Sequence, residues 1–163
     1  MESFRFAPPY ELPRYAYTRA PELDGQAMGR YPVVIVGAGP AGLTLACDLA
    51  QRGVRAVLID EDDTVGVRGA SSRGICYAQK SLEILDRLGL AERAVAKGVA
   101  WSRGRTFSGV EEVYAFDLQD DSVSTQPPFI NLQQFYLEGF LVERIQEIGL
   151  TDLRWLSKAT HIE

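Results

Sequence analysis

Apolar positions along the chain follow two different periods, and the switches between them predict the elements. Val33-Val34-Ile35-Val36 is apolar without polar alternation, the pattern of a short parallel strand covered on both faces. From Pro40 to Arg52 the period changes, with Leu43, Leu45, Ala46, Leu49 and Ala50 at the spacing of a core-facing helix that Gly53 stops. A second strand, Val54 to Asp60, follows directly and closes a βαβ unit. Leu82, Ile84, Leu85 and Leu88 then predict a helix from Ala78 to Leu88, ended by Gly89, with a shorter helix from Ala91 to Lys97. Trp101 to Phe107 and Glu112 to Leu118 are rich in aromatic and β-branched residues and predict two inserted antiparallel strands. Pro127-Pro128 breaks the chain, after which Phe129 and Ile130 lead into a helix from about Gln133 to Ile148. Its apolar side is Phe140, Leu141, Ile145 and Ile148, and Gly149 stops it. Leu153 to Leu156 begins a further strand. Residues Met1 to Arg30 hold Pro8, Pro9, Pro13 and Pro21 without periodicity, which predicts an extended arm ordered by lying on the body.

Composition narrows the function classes. The chain has 163 residues, room for one domain with a core, and a net charge of -5, which argues against a nucleic-acid partner. No apolar run reaches membrane-spanning length, and the first thirty residues lack a signal-peptide core, so a membrane partner is not expected. Cys47 and Cys76 form no disulfide framework, and a reducing cytoplasm is the expected compartment. His161 is the single histidine, which excludes a histidine-based triad or a multi-histidine metal site within the chain; it reads as a surface residue.

The candidate chemistry lies between the first strand and the first long helix. Gly37-Ala38-Gly39-Pro40-Ala41-Gly42 is a three-glycine turn placed where a dinucleotide is bound. Gly37 takes the tight turn, Gly39 lets a pyrophosphate approach the backbone, and Gly42 lets the helix lie close on the sheet. Pro40 suits the first helical turn, where its missing N–H costs nothing, and the N–H groups around Pro40 and Ala41 point toward the phosphates. Asp60 ends the second strand 18 residues after Gly42, where an acid is expected to accept from the adenosine ribose hydroxyls. These features leave FAD, NAD and NADP open, although Asp60 disfavours NADP because a carboxylate would face the 2′-phosphate.

The segments VVIVGAGPAGLTLACDLAQRGVRAVLIDEDD, SSRGICYAQKSLEILDRLGL and PPFINLQQFYLEGFLVERI, in that order and spacing, resemble the FAD-dependent aromatic hydroxylases, which are single-component flavoprotein monooxygenases. The resemblance runs from about Pro32 to Trp155. It implies an α/β, Rossmann-like FAD/NAD(P)-binding domain with a parallel sheet and inserted antiparallel strands, incomplete at its C-terminus, spanning residues 31–163 after an arm of residues 1–30. It further implies bound FAD, NAD(P)H as co-substrate, and transfer of oxygen to a small phenolic substrate. By the same resemblance Arg73 lies against the flavin pyrophosphate, and Gln134, or the adjacent Gln133, contacts the flavin chain. The loop from Asp63 to Arg73 is longer than the family pattern, and Gly74 stands where alanine is common. The family's later Gly-Asp motif and substrate domain are not in the sequence, so no residue is assigned to ring chemistry. The 163-residue chain alone is expected to bind FAD weakly and hydroxylate nothing. Homo-oligomerisation, another FAD oxidoreductase and a non-catalytic dinucleotide-binding fragment stay open as alternatives.

Overall fold

A computed structural model of the chain describes residues 11–25, 30–66, 74–118 and 124–161. The first strand, β1 (Val33–Val36), passes through a glycine loop into α1 (Pro40–Gln51), and β2 (Ala56–Ile59) returns parallel to β1. After β3 (Cys76–Ala78) come α2 (Gln79–Arg87) and α3 (Ala91–Lys97), then β4 (Val99–Trp101), β5 (Arg103–Ser108) and β6 (Glu111–Asp117). The described chain ends with β7 (Phe129–Asn131), α4 (Gln134–Ile148) and β8 (Thr151–Arg154).

These strands make three sheets. The parallel sheet has the order β1-β2-β8, and its register pairs Ile35 with Leu58 and Leu58 with Leu153. A small antiparallel sheet has the order β3-β7-β4, and β5 and β6 form a two-stranded ribbon. The architecture is therefore α/β, a parallel sheet with added antiparallel strands.

The core lies where α1 and α4 meet each other and the sheet. Leu43, Ala46 and Cys47 of α1 are buried with Leu137, Leu141, Val142 and Ile145 of α4, over Ile35 and Leu58. Truncating a fully enclosed side chain such as Leu141 to alanine costs about 2–5 kcal/mol. Leu82, Leu85 and Leu88 extend this core under α2.

Several expectations need correction. Val34 and Val36 are 59% and 57% exposed, so β1 is covered on one face only; Ile35 turns toward the helices and its neighbours turn away, because successive side chains alternate across a sheet. On α1, Leu45 is exposed and Cys47 takes the core position instead. The stretch expected as one strand from Trp101 divides at Ser102, where the chain leaves the β7 pairing and enters the β6 pairing. The three-residue strands β3 and β7 were not foreseen, since so short a run carries too few residues to show a period. The last strand is Thr151–Arg154, earlier than the expected start at Leu153, because its register is set by pairing with β2.

Among the described residues 11–25 there is one short 3₁₀ helix, Pro21–Asp24, and the rest of that stretch is irregular. Tyr15 stacks on Trp155 with ring centroids 4.4 Å apart, which buries an aromatic that the end of the sheet alone would leave open. Its N–H donates to the Asp63 carbonyl at 2.7 Å, the Thr64 hydroxyl donates to the Pro13 carbonyl at 2.6 Å, and Arg14 pairs with Asp63. Arg154 on β8 meets Glu22 at 3.1 Å and Asp152 at 2.7 Å, tying the 3₁₀ helix to the sheet.

Candidate FAD site

The glycine loop takes its shape from steric limits that its own sequence meets. Gly37 has φ +105°, in the region that favours glycine, and its N–H donates to the Ile59 carbonyl at 2.9 Å, carrying the β1–β2 pairing into the turn. At Gly42 a Cβ would stand 2.0 Å from the Gly37 carbonyl oxygen, so only glycine lets the first turn of α1 rest on the loop. Gly39 differs, since a Cβ there meets nothing within 4 Å of the described chain. Space is thus left open in front of Gly39, the N-cap of α1, which has no side chain to cap the helix. Pro40 opens that helix and Ala41 is exposed in its first turn. Uncapped N–H groups with the positive end of the helix dipole suit an anion.

Asp60 faces this loop from the end of β2. The Ala38 N–H donates to its Oδ2 at 2.6 Å, and the Asp62 N–H donates to its Oδ1 at 2.8 Å. One carboxylate therefore joins the glycine loop to the turn after β2. A carboxylate offers about four lone-pair sites, so two remain for sugar hydroxyls. A cleft of about 280 Å³ opens here, lined by Val36, Gly37, Ile59, Asp60, Asp62 and Ser157. It lies beyond the carboxyl ends of β1 and β2, where open α/β sheets take their ligands. The far wall is shaped by the chain after β8: the Ser157 N–H donates to the Asp60 carbonyl at 2.7 Å and the Leu156 N–H to the Asp62 carbonyl at 3.1 Å.

Gln134 begins α4, one residue after the N-cap Gln133. Its Nε2 donates to Glu138 Oε1 at 2.7 Å, and its Oε1 accepts from the Gly74 N–H at 3.3 Å. Glu138 is wholly buried, and its Oε2 accepts from the Gly66 N–H at 2.6 Å. Burial pushes the Glu138 carboxyl above the usual carboxylate range; the bonds from Gln134 and Gly66 draw it back in part, and the Asp60 charge adds to the rise. Sequence reasoning missed Glu138. A signal existed, because a carboxylate between Leu137 and Leu141 falls on the apolar side of a 3.6-residue pattern.

Of the expected residues, Gly37 and Asp60 line the cleft; Gly39 is the N-cap of α1, Pro40, Ala41 and Gly42 form its first turn, with Pro40 and Ala41 facing a second hollow beside Thr44 and Tyr77, and Gln134 belongs to a separate cluster on α4. Arg73 lies outside the described residues. Among the described residues no group of histidine, cysteine or acidic side chains could hold a metal ion, and no helix is long and apolar enough to cross a membrane.

Comparison with known proteins assigns the architecture. The profile of the FAD binding domain family matches residues 30–163. The chain belongs to this family. As an FAD binding domain it is 34% identical over 131 residues to the 6-methylpretetramide 4-monooxygenase of Streptomyces rimosus, covering 80% of this chain and 22% of that protein. It is 30% identical over 125 residues to a flavin-dependent monooxygenase of Mycobacteroides abscessus, covering 72% of this chain and 26% of that protein. Among solved structures, the p-nitrophenol 4-monooxygenase PnpA of Pseudomonas putida superposes with a TM-score of 0.73 at 28% identity, over 82% of this chain and 33% of that one. This FAD binding domain therefore spans a third or less of the length of these relatives.

The residues present fit the cofactor. Open space at Gly39 and an uncapped helix start lie in one loop, and a carboxylate with unused lone pairs is tied to that loop through Ala38, the donors and acceptors that a nucleotide diphosphate with a ribose requires.

Proposed function

We propose that the chain is the FAD-binding portion of a flavin-dependent monooxygenase that hydroxylates small phenolic compounds with NAD(P)H and dioxygen. The observation that carries this reading is the cleft at the ends of β1 and β2, faced by Asp60, in a chain similar to monooxygenases, one of them named for p-nitrophenol. Bound FAD supplies the redox chemistry, accepting reducing equivalents from the nicotinamide and passing them to dioxygen. The chain's own residues bind and orient. Gly37 shapes the turn, Gly39 lets the pyrophosphate reach backbone, and Pro40, Ala41 and Gly42 present the start of α1 to it. Asp60 accepts from the ribose hydroxyls while it holds Ala38. Arg73 meets the pyrophosphate with a two-point guanidinium contact, and Gln134 contacts the flavin chain. In this reading residues 1–30 form an arm, residues 31–163 belong to the FAD domain, and the protein works in the cytoplasm.

The test is reconstitution of the complete product of the gene that encodes this chain. It is expected to retain FAD through gel filtration and to oxidise NAD(P)H with hydroxylation of a phenol. Release of NAD in place of FAD on denaturation, or NAD(P)H oxidation indifferent to every phenol tried, would overturn the reading. Arg73→Ala is expected to weaken FAD binding by roughly 1.5–3 kcal/mol, the range for a hydrogen bond to a charged group, with Arg73→Lys recovering part.

A further inference from the structure

Glu138 does something that helix packing does not require. A carboxylate set among Leu137, Leu141 and Val142 loses its hydration, and an apolar side chain of similar size would fill the same space without that cost. Both of its oxygens are nevertheless engaged, and by groups from different parts of the chain. Oε2 takes the N–H of Gly66, a residue whose own place is tightly set: φ is +88°, and a Cβ would stand 2.9 Å from Phe135 Cβ. Oε1 takes the Nε2 of Gln134, one turn earlier on α4. An amide can be turned either way, but a carboxylate accepts only, so Nε2 must face Glu138 and Oε1 must face outward. Gly74 meets that oxygen with its N–H. The result is a single run of hydrogen bonds, Gly66 N–H to Glu138, Gln134 Nε2–H to Glu138, and Gly74 N–H to Gln134 Oε1. It sets the backbone at Gly66 and at Gly74 against the first turn of α4.

We infer that Glu138 is a positioning residue for FAD binding: its buried carboxylate fixes the orientation of the Gln134 amide and, through it, the place of Gly74 relative to Gly66. This rests on the reading of Gln134 as a contact of the flavin chain. Glu138 itself is wholly buried in the protein. It acts by removing the orientational freedom of Gln134 before the ligand arrives, which lowers the ordering cost of binding.

The experiment compares wild type with Glu138→Leu, Glu138→Gln and Gln134→Leu in the complete gene product, following amide hydrogen exchange at Gly66 and Gly74 and titrating FAD. In Glu138→Leu, exchange at both glycines should quicken and FAD should bind roughly tenfold or more weakly, the scale of one hydrogen bond to a charged group. The melting temperature should fall, because the buried Gly66 N–H and the Gln134 amide lose their acceptor. Glu138→Gln keeps one acceptor and should recover part of the affinity. Gln134→Leu, which leaves the buried position intact, should quicken exchange at Gly74 while Gly66 stays protected, and it serves as the deciding variant if Glu138→Leu does not fold. Adding Glu138→Leu to Gln134→Leu should weaken FAD little further. Unchanged FAD affinity in a folded Glu138→Leu protein, or exchange at Gly74 that ignores Gln134→Leu, would overturn the inference. A wild-type protein that takes up no FAD would instead overturn the reading beneath it, while exchange would still decide whether Glu138 sets the two glycines.

Discussion

Asp60 and Glu138 do similar mechanical work in opposite surroundings. Each accepts a backbone N–H from a glycine-containing loop, Ala38 in one case and Gly66 in the other, and each spends its second oxygen on a nearby group, the Asp62 N–H or the Gln134 amide. Asp60 is half-buried and lines the cleft, so hydroxyls of a ligand can reach its remaining lone pairs. Glu138 is enclosed by α4 and the chain at Gly66, and its capacity goes into the protein. On the proposed reading, position relative to solvent is what separates a carboxylate that binds from one that positions.

The largest effect should come from breaking the exposed member. Asp60→Ala removes the bonds to Ala38 and Asp62 together with any sugar contact, and FAD affinity should fall by about 3 kcal/mol, or roughly a hundredfold, on the scale of two hydrogen bonds to a charged group. Isothermal titration measures it, and Asp60→Asn should restore part. An affinity untouched by Asp60→Ala would leave Asp60 as a strand-end clamp and nothing more.

Next in size is a pair of glycine variants that separates packing from ligand space. Gly42→Ala should destabilise the fold by about 1–3 kcal/mol, since its Cβ meets the Gly37 carbonyl at 2.0 Å and the helix must shift. Gly39→Ala meets nothing in the described chain and should leave urea denaturation unchanged while weakening FAD. If both variants destabilised the apo fold alike, open space at Gly39 would not be kept for a ligand.

The buried carboxylate should also be visible in the pH dependence of stability. Its pKa in the fold lies above the usual 4.5. As pH rises past 4.5 the unfolded chain releases this proton while the folded chain still holds it. Its contribution is therefore whole below that point and is lost as pH climbs through the folded value. Glu138→Gln does not titrate, so the stability of wild type relative to Glu138→Gln should decrease from acid toward neutral pH, read by urea denaturation at each pH. A difference that grew with pH would mean that the two hydrogen bonds outweigh burial.

The smallest effect is a labelling control. Cys47 is buried on α1, its Sγ 3.5 Å from the Leu141 carbonyl on α4, and burial pushes its thiol up to about 12, whereas Cys76 is exposed. A disulfide reagent at about pH 8 should therefore titrate one thiol quickly, since thiolate is the reactive form. The same count in Glu138→Leu would show that α1 and α4 stay in contact and that only the Gly66–Gly74 connection has loosened; a second fast thiol would place the fault in the helix pair.

The amino-acid sequence determined by itself what depends on neighbouring residues. The glycine turn, α1, the parallel return of β2, α3 and the helix from Gln134 to Ile148 are all written in local period and in steric demands such as that of Gly42 on the Gly37 carbonyl. The placement of Asp60 at the cleft was legible for the same reason, being fixed by the length of one βαβ unit. Tertiary structure alone decided what depends on residues far apart in the chain. It set which of Leu45 and Cys47 faces the core, it paired three-residue strands such as β3 and β7, and it buried Trp155 under Tyr15. It also brought Gly66 to a carboxylate 72 residues later. A hydrogen bond across that separation leaves no period in sequence, because its partners are joined by the packing of α4 against the loop and not by any repeat along the chain.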